Sequence, residues 1–130
     1  MSTDAHVTAV LALLNAELST MSTPRTAYEY DDAPKKGRDY VLVSLSRTFG
    51  GNRRGDRIGP SMWRLTVRAV GSVTNVRVLL DRCTVALEHQ TFTVGDETST
   101  GIQFETEVDV DEDDSQVGLW SGLRSFTYAF

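Results

Sequence analysis

Between residues 49 and 60 the chain carries Gly50, Gly51, Gly55 and Gly59 together with Arg53, Arg54 and Arg57. This mixture suits an anion, because glycine lets backbone N–H groups approach a negative group and arginine adds charge. A phosphate-binding loop, however, ends in Gly-Lys-Ser or Gly-Lys-Thr and opens a helix, whereas Ile58-Gly59-Pro60 precedes a strand pattern. The stretch reads instead as a long basic hairpin loop between two strands, suited to contact with another protein or a nucleic-acid backbone.

A second cluster lies at 109–114, where Asp109, Asp111 and Asp113 alternate like the start of a calcium loop. Such a loop needs glycine at its sixth position and a bidentate glutamate at its twelfth, and the chain has Asp114 and Trp120 there. A loosely held divalent cation or plain solvated carboxylates are the readings left. Nucleophilic catalysis needs a base held by a partner. The only histidines are His6, near the N-terminus, and His89, which follows a helical stretch and fits the negative end of its dipole. The single Cys83 can form no internal disulfide, and its place on an apolar helical stripe marks it as a small buried side chain. With no recognisable nucleophile setting, the residues point away from an enzyme, and no cofactor or metal is expected.

The elements that must position these groups follow from periodicity. At 63–69, Trp63, Leu65, Val67 and Ala69 alternate with Arg64, Thr66 and Arg68, as in a strand buried on one face. After Gly71, Ser72 is placed to cap a helix whose Val73, Val76, Leu80, Cys83 and Leu87 form one apolar stripe. This unit, residues 62–87, is the expected centre of the core. An N-terminal helix opened by Ser2 or Thr3 puts Val7, Val10, Leu11, Leu14 and Leu18 on one side. Residues 19–24 end it, and 27–30 read as a short strand. In 40–43, Tyr40, Val41, Leu42 and Val43 are apolar in succession, which fits a strand covered on both faces or one whose second face meets another subunit. A short strand at 91–94, an alternating strand at 102–111 and a closing strand at 117–130 complete the chain. The expectation is a single α+β domain over residues 1–130, with an antiparallel or mixed β-sheet packed against two helices.

The strand at 102–111 has Ile102, Phe104, Thr106, Val108 and Val110 on one face and Gln103, Glu105, Glu107, Asp109 and Asp111 on the other. One side should pack and the other form a carboxylate ladder. Like charges along one strand face repel unless cations oppose them, and Arg64 and Arg68 on a neighbouring strand would supply these. Alternatively, copies of the face surround a space that must repel DNA phosphates. The basic Arg53, Arg54 and Arg57 of one copy could also meet the acidic turn Glu112, Asp113 and Asp114 of the next, an arrangement suited to a head-to-tail ring.

Composition narrows the class. The chain has 130 residues, 40% hydrophobic and 24% charged, as in a globular protein with one real core. A formal net charge of -5 argues against tight sequence-independent binding to nucleic acid, whose affinity comes from cations meeting phosphates. No apolar run nears the roughly 20 residues that span a bilayer, and residues 1–6 lack the basic flank of a signal peptide, so no membrane association is expected and synthesis should be cytosolic.

The stretch Trp63-Arg64-Leu65-Thr66-Val67-Arg68-Ala69-Val70-Gly71, the helix at 73–87, a small hairpin, an acidic strand and the closing Leu119-Trp120-Ser121-Gly122-Leu123-Arg124-Ser125-Phe126-Thr127-Tyr128 resemble the small tail terminator (tail completion) proteins of long-tailed bacteriophages. The likeness runs through nearly the whole chain in element order, with no catalytic signature. It implies a structural virion protein that assembles in the host cytoplasm and sits at the tail–neck junction. Such proteins form a hexameric ring on the head-proximal end of the tail tube, stop its polymerisation and meet the head connector or head-closure protein, with the tape-measure protein as a further neighbour. DNA passes through without specific binding, which would give Glu105, Glu107, Asp109 and Asp111 a purpose as channel lining. Another neck or head-closure component is the nearest alternative. A monomeric ligand- or nucleic-acid-binding module using the arginine loop is the alternative from a different class.

Overall fold

The computed structural model describes residues 3–23, 25–29, 39–49, 62–112 and 119–130. Its elements are α1 (Thr3–Leu18), β1 (Ala27–Glu29), β2 (Tyr40–Phe49), β3 (Met62–Gly71), α2 (Val73–Leu87), β4 (Thr93–Val94), β5 (Glu97–Thr98), β6 (Gln103–Glu112) and β7 (Trp120–Ala129). Five strands form one sheet in the order β1-β2-β3-β7-β6, and β4 and β5 form a small hairpin of their own. Strand β1 runs parallel to β2 and all other pairs are antiparallel, so the sheet is mixed. The α+β expectation holds.

Strand β3 lies at the centre of the sheet, as the alternation at 63–69 requires. Trp63, Leu65, Val67 and Ala69 are buried, whereas Met62 and Arg64 are exposed. Helix α2 covers this face with Val76, Leu79, Leu80, Cys83 and Leu87. The Ser72 hydroxyl accepts a hydrogen bond from the Asn75 amide at 3.3 Å and so caps the helix. Helix α1 adds Val7, Val10, Leu14 and Leu18, all at most 5% exposed. Asn15 ties α1 to the first strand, because its Oδ1 accepts the Ala27 amide at 2.8 Å.

The apolar run 40–43 is covered on both faces by the chain itself. Val41 and Val43 enter the main core, while Tyr40 and Leu42 join Val70 and Leu119 in a second cluster on the opposite face, with Tyr28 against it. No second subunit is needed to bury it.

Two close approaches fix the geometry. A Cβ at Gly71 would run into the Asp39 carboxylate, whose Oδ1 accepts the Ser72 amide at 3.4 Å and whose Oδ2 lies 3.5 Å from Arg25. A Cβ at Gly122 on β7 would come within 3.2 Å of Leu80 Cδ1 and 3.4 Å of Val76 Cγ1, so the absent side chain sets how near α2 sits to the sheet. The loop expected at 49–60 lies almost wholly outside the described residues. The strands it joins, β2 and β3, pair antiparallel as a hairpin's must.

Strand β6 departs from the expected alternation. Phe104 faces Phe126 and Thr106 faces Ser125, so Glu105 is an extra residue, and the register slips again between Val108 and Asp111. Each inserted residue shifts the following side chains to the other face. The supposed packed side is instead open at two positions, with Phe104 44% and Val108 55% exposed.

Replacing Gly122 with valine should push α2 off β7 and cost roughly 1–3 kcal/mol, the usual penalty of overpacking. A lowered urea midpoint with an unchanged slope would show it.

Candidate functional site

The acidic strand was the feature with the strongest claim to a role, and its surroundings show what holds it. Arg64 on β3 reaches over β7 to Glu105, with Nε 2.8 Å from Oε1 and Nη2 3.1 Å from Oε2. This is a bidentate pair on the open face of the sheet, the face away from the helices. The ladder's neighbouring strand is therefore β7, not β3, and the expected role of Arg68 falls away: its Nη2 donates to Ser121 Oγ at 3.1 Å.

The second cation is Arg124 on β7. Its Nε donates to Glu107 Oε2 at 2.6 Å, its Nη2 to Asp81 Oδ1 at 2.9 Å and its Nη1 to Thr84 Oγ1 at 2.8 Å. Burial alone would lower the pKa of this guanidinium, but the bonds to Glu107 and Asp81 outweigh that and raise it, so it stays charged. Asp81 and Thr84 belong to α2, so Glu107 faces the helix layer while Glu105 faces away from it. The bulge at Glu105 thus splits the first two rungs of the ladder between the two faces of the sheet.

Asp109 and Asp111 lie on the same strand, with Asp111 opposite Ser121, and Glu112 ends it opposite Trp120. Arg53, Arg54, Arg57, Asp113 and Asp114 lie outside the described residues. Among the described residues no three His, Cys, Asp or Glu side chains are grouped to hold a metal ion, and no helix is long and apolar enough to cross a membrane.

The groups considered for catalysis have structural surroundings. Cys83 is 1% exposed, and burial pushes its thiol up to about 12, which keeps it protonated. His89 follows the helix with a positive φ of 66°, its amide bonded to the Ile102 carbonyl at 2.7 Å. His6, although near the N-terminus, lies inside the core. It is 1% exposed, lies 4.2 Å from the Trp63 ring in a stacked arrangement, and its Nδ1 is 2.9 Å from the Tyr128 hydroxyl. Phe92 and Phe130 close the cage. The sequence signal was there in outline: His6, Val10, Leu14 and Leu18 share a helical face with spacing of four.

No protein-family model matches this sequence, and no curated protein matches it. Solved structures do match in fold. A chain from the virion of a native gene transfer agent particle superposes with a TM-score of 0.71 over 98% of this chain and 98% of that one, at 9% identity. A second solved structure superposes with a TM-score of 0.71 over 99% of this chain and 95% of that one, at 11% identity. At these identities the likeness is one of fold, and it spans both partners almost end to end.

Two outcomes follow from the geometry. Burial, followed by the positive N-terminal amine and Arg47, lowers the His6 pKa below 6.5, with Glu97 opposing weakly. The unfolded chain therefore binds a proton first, and this contribution to stability is whole above about pH 6.5 and is lost as pH falls toward the lowered folded value. The His6→Gln variant should lose less Tm than the wild type over that interval. Among the arginines, Arg124→Met should cost about 1–3 kcal/mol, because it strands three bonded partners. Arg64→Met, on a solvent-exposed pair screened by water, should cost clearly less; denaturant titration of both variants checks the order.

Proposed function

We propose that this chain is a structural virion assembly protein of the tail-terminator kind, which acts without catalysis. In this reading six copies form a ring on the head-proximal end of a phage tail tube, stop tube growth and join the tail to the head connector, beside the tape-measure protein. DNA passes through the ring. The protein assembles in the host cytoplasm and resides at the tail–neck junction.

The observation that carries the proposal is the end-to-end likeness in fold to a chain of a virion particle. The resemblance of the sequence to tail terminators, element by element, agrees with it. A protein whose work is to hold surfaces in place needs a rigid sheet and charged edges rather than a cleft with a nucleophile. Strand β6 supplies such an edge: Glu105, Glu107, Asp109, Asp111 and Glu112 occur in it with no lysine or arginine.

In the ring, the carboxylates of β6 turned toward the lumen discourage DNA from adhering. Glu105 and Glu107 are each matched by an arginine, so most of the repulsion in this reading rests on Asp109 and Asp111. The basic Arg53, Arg54 and Arg57 of one copy meet Glu112, Asp113 and Asp114 of its neighbour, so assembly weakens with salt.

The test is direct. Purified protein added to polymerising tail-tube subunits should yield tubes of defined length capped at one end, as seen by electron microscopy. Tubes that grow past that length at saturating protein would overturn the terminator reading, and binding to the head connector without any effect on tubes would favour a head-closure role. Changing Arg53, Arg54 and Arg57 together to glutamate should abolish the ring, and an assembly state that kept its salt dependence would refute that contact.

A further inference from the structure

Both helices lie on one face of the sheet. On the other face the strand registers set Leu42, Arg68, Leu123 and Val108 in one row across β2, β3, β7 and β6. Ser44 and Thr66 stand beside each other in the next row. Leu42 is buried by its own cluster, Arg68 and Leu123 are half-buried, and Val108 is 55% exposed. An open basin of about 260 Å³ lies here, lined by Leu42, Ser44, Thr66, Arg68 and Leu123.

Arg68 is the unusual member of that lining. Arg25, Arg64, Arg82 and Arg124 each hold a carboxylate within 3.5 Å. Arg68 has no ion pair among the described residues, and its Nη2 bonds only Ser121 Oγ, at 3.1 Å. A guanidinium carries five N–H donors, so most of these are unused by the chain. Drawing a cation out of water costs solvation that a paired acid ordinarily offsets, and no acid offsets it here. By register the nearest is Asp111, opposite Ser121 in the neighbouring row. The walls on either side of Arg68 are aliphatic. A ligand that matches the basin therefore carries both an apolar group and a carboxylate.

Size and setting favour a protein over a small molecule. Drug-sized ligands fill sites of about 300–1,000 Å³, whereas a cavity of about 150 Å³ already takes a benzene ring. A basin of about 260 Å³ suits one side chain. The exposed Val108 carries the apolar row past the basin to the sheet edge, farther than a small molecule would cover. We propose that this basin receives an extended segment of a partner protein, with an aliphatic side chain against Leu42 and Leu123 and, two positions away, a carboxylate bonded to Arg68. Side chains two apart on an extended chain point the same way, so both can reach one sheet face. The Ser44 and Thr66 hydroxyls are left for the segment's backbone. This contact makes no use of ring formation or of the terminator reading.

The test uses the full chain labelled with nitrogen-15 and the blocked peptide acetyl-Ser-Leu-Ser-Glu-Ser-amide, followed by amide shifts in NMR titrations. Saturable shifts should gather at Leu42, Ser44, Thr66, Arg68 and Leu123. Exchanging the peptide's glutamate for glutamine, or its leucine for serine, should weaken binding by roughly tenfold, the worth of one hydrogen bond to a charged group. Arg68→Gln should do the same and Arg68→Lys should recover part of the loss. Arg68→Gln strands no carboxylate, so its melting temperature should match that of the wild type; if it does not, the two exchanged peptides decide, since they leave the protein untouched. Absence of saturable shifts, shifts gathered elsewhere, or equal binding of the glutamine peptide would each overturn the proposal. So would the same shifts appearing on concentrating the protein without peptide, because a second copy would then be the occupant.

Discussion

Helix α2 rests on β3 and β7, and how close it comes governs much else. Val76, Leu80 and Cys83 bury against the sheet, and the absence of a side chain at Gly122 lets two of them approach the β7 backbone. Apolar area removed from water is the main favourable term in such a fold, at roughly 25 cal/mol per Å², and it is gained in full only where the layers meet without gaps. The same closeness places Asp81 and Thr84 within reach of Arg124. The polar lock between α2, β7 and β6 is therefore a consequence of the core contact.

The edge of the sheet shows the opposite economy. An exposed edge strand invites unwanted pairing, and charges and bulges are the usual protection. Strand β6 has both: five carboxylates, two register slips, and arginines from β3 and β7 that neutralise Glu105 and Glu107. The exposed Phe104 and Val108 run against that protection, one on each face of the strand.

A buried histidine in a cage of four aromatic rings ties the start of the chain to its end. His6 on α1 meets Trp63 on β3 and the Tyr128 hydroxyl on β7, so α1 is bound to the two central strands by a specific contact and not only by its apolar stripe. A polar group at that depth is tolerated because it is bonded. The N-terminal helix is thus part of the core and not an appendage.

The sequence by itself determined the helices, the central strand, the cap at Ser72 and the burial of Cys83, since each depends on a period or a residue type read locally. It also determined that acidity gathers at 105–114. What it could not decide was facing and partnership. Strict alternation at 102–111 suggests one acidic face, but a single inserted residue at Glu105 overrides the period, and no local signal marks a bulge without glycine. The order β3-β7-β6, which puts Arg124 rather than Arg68 beside the carboxylates, is a matter of which distant strands pair. The depth of His6 likewise depends on rings contributed from residues 63, 92, 128 and 130. Those are long-range pairings, and only the tertiary structure brings them together.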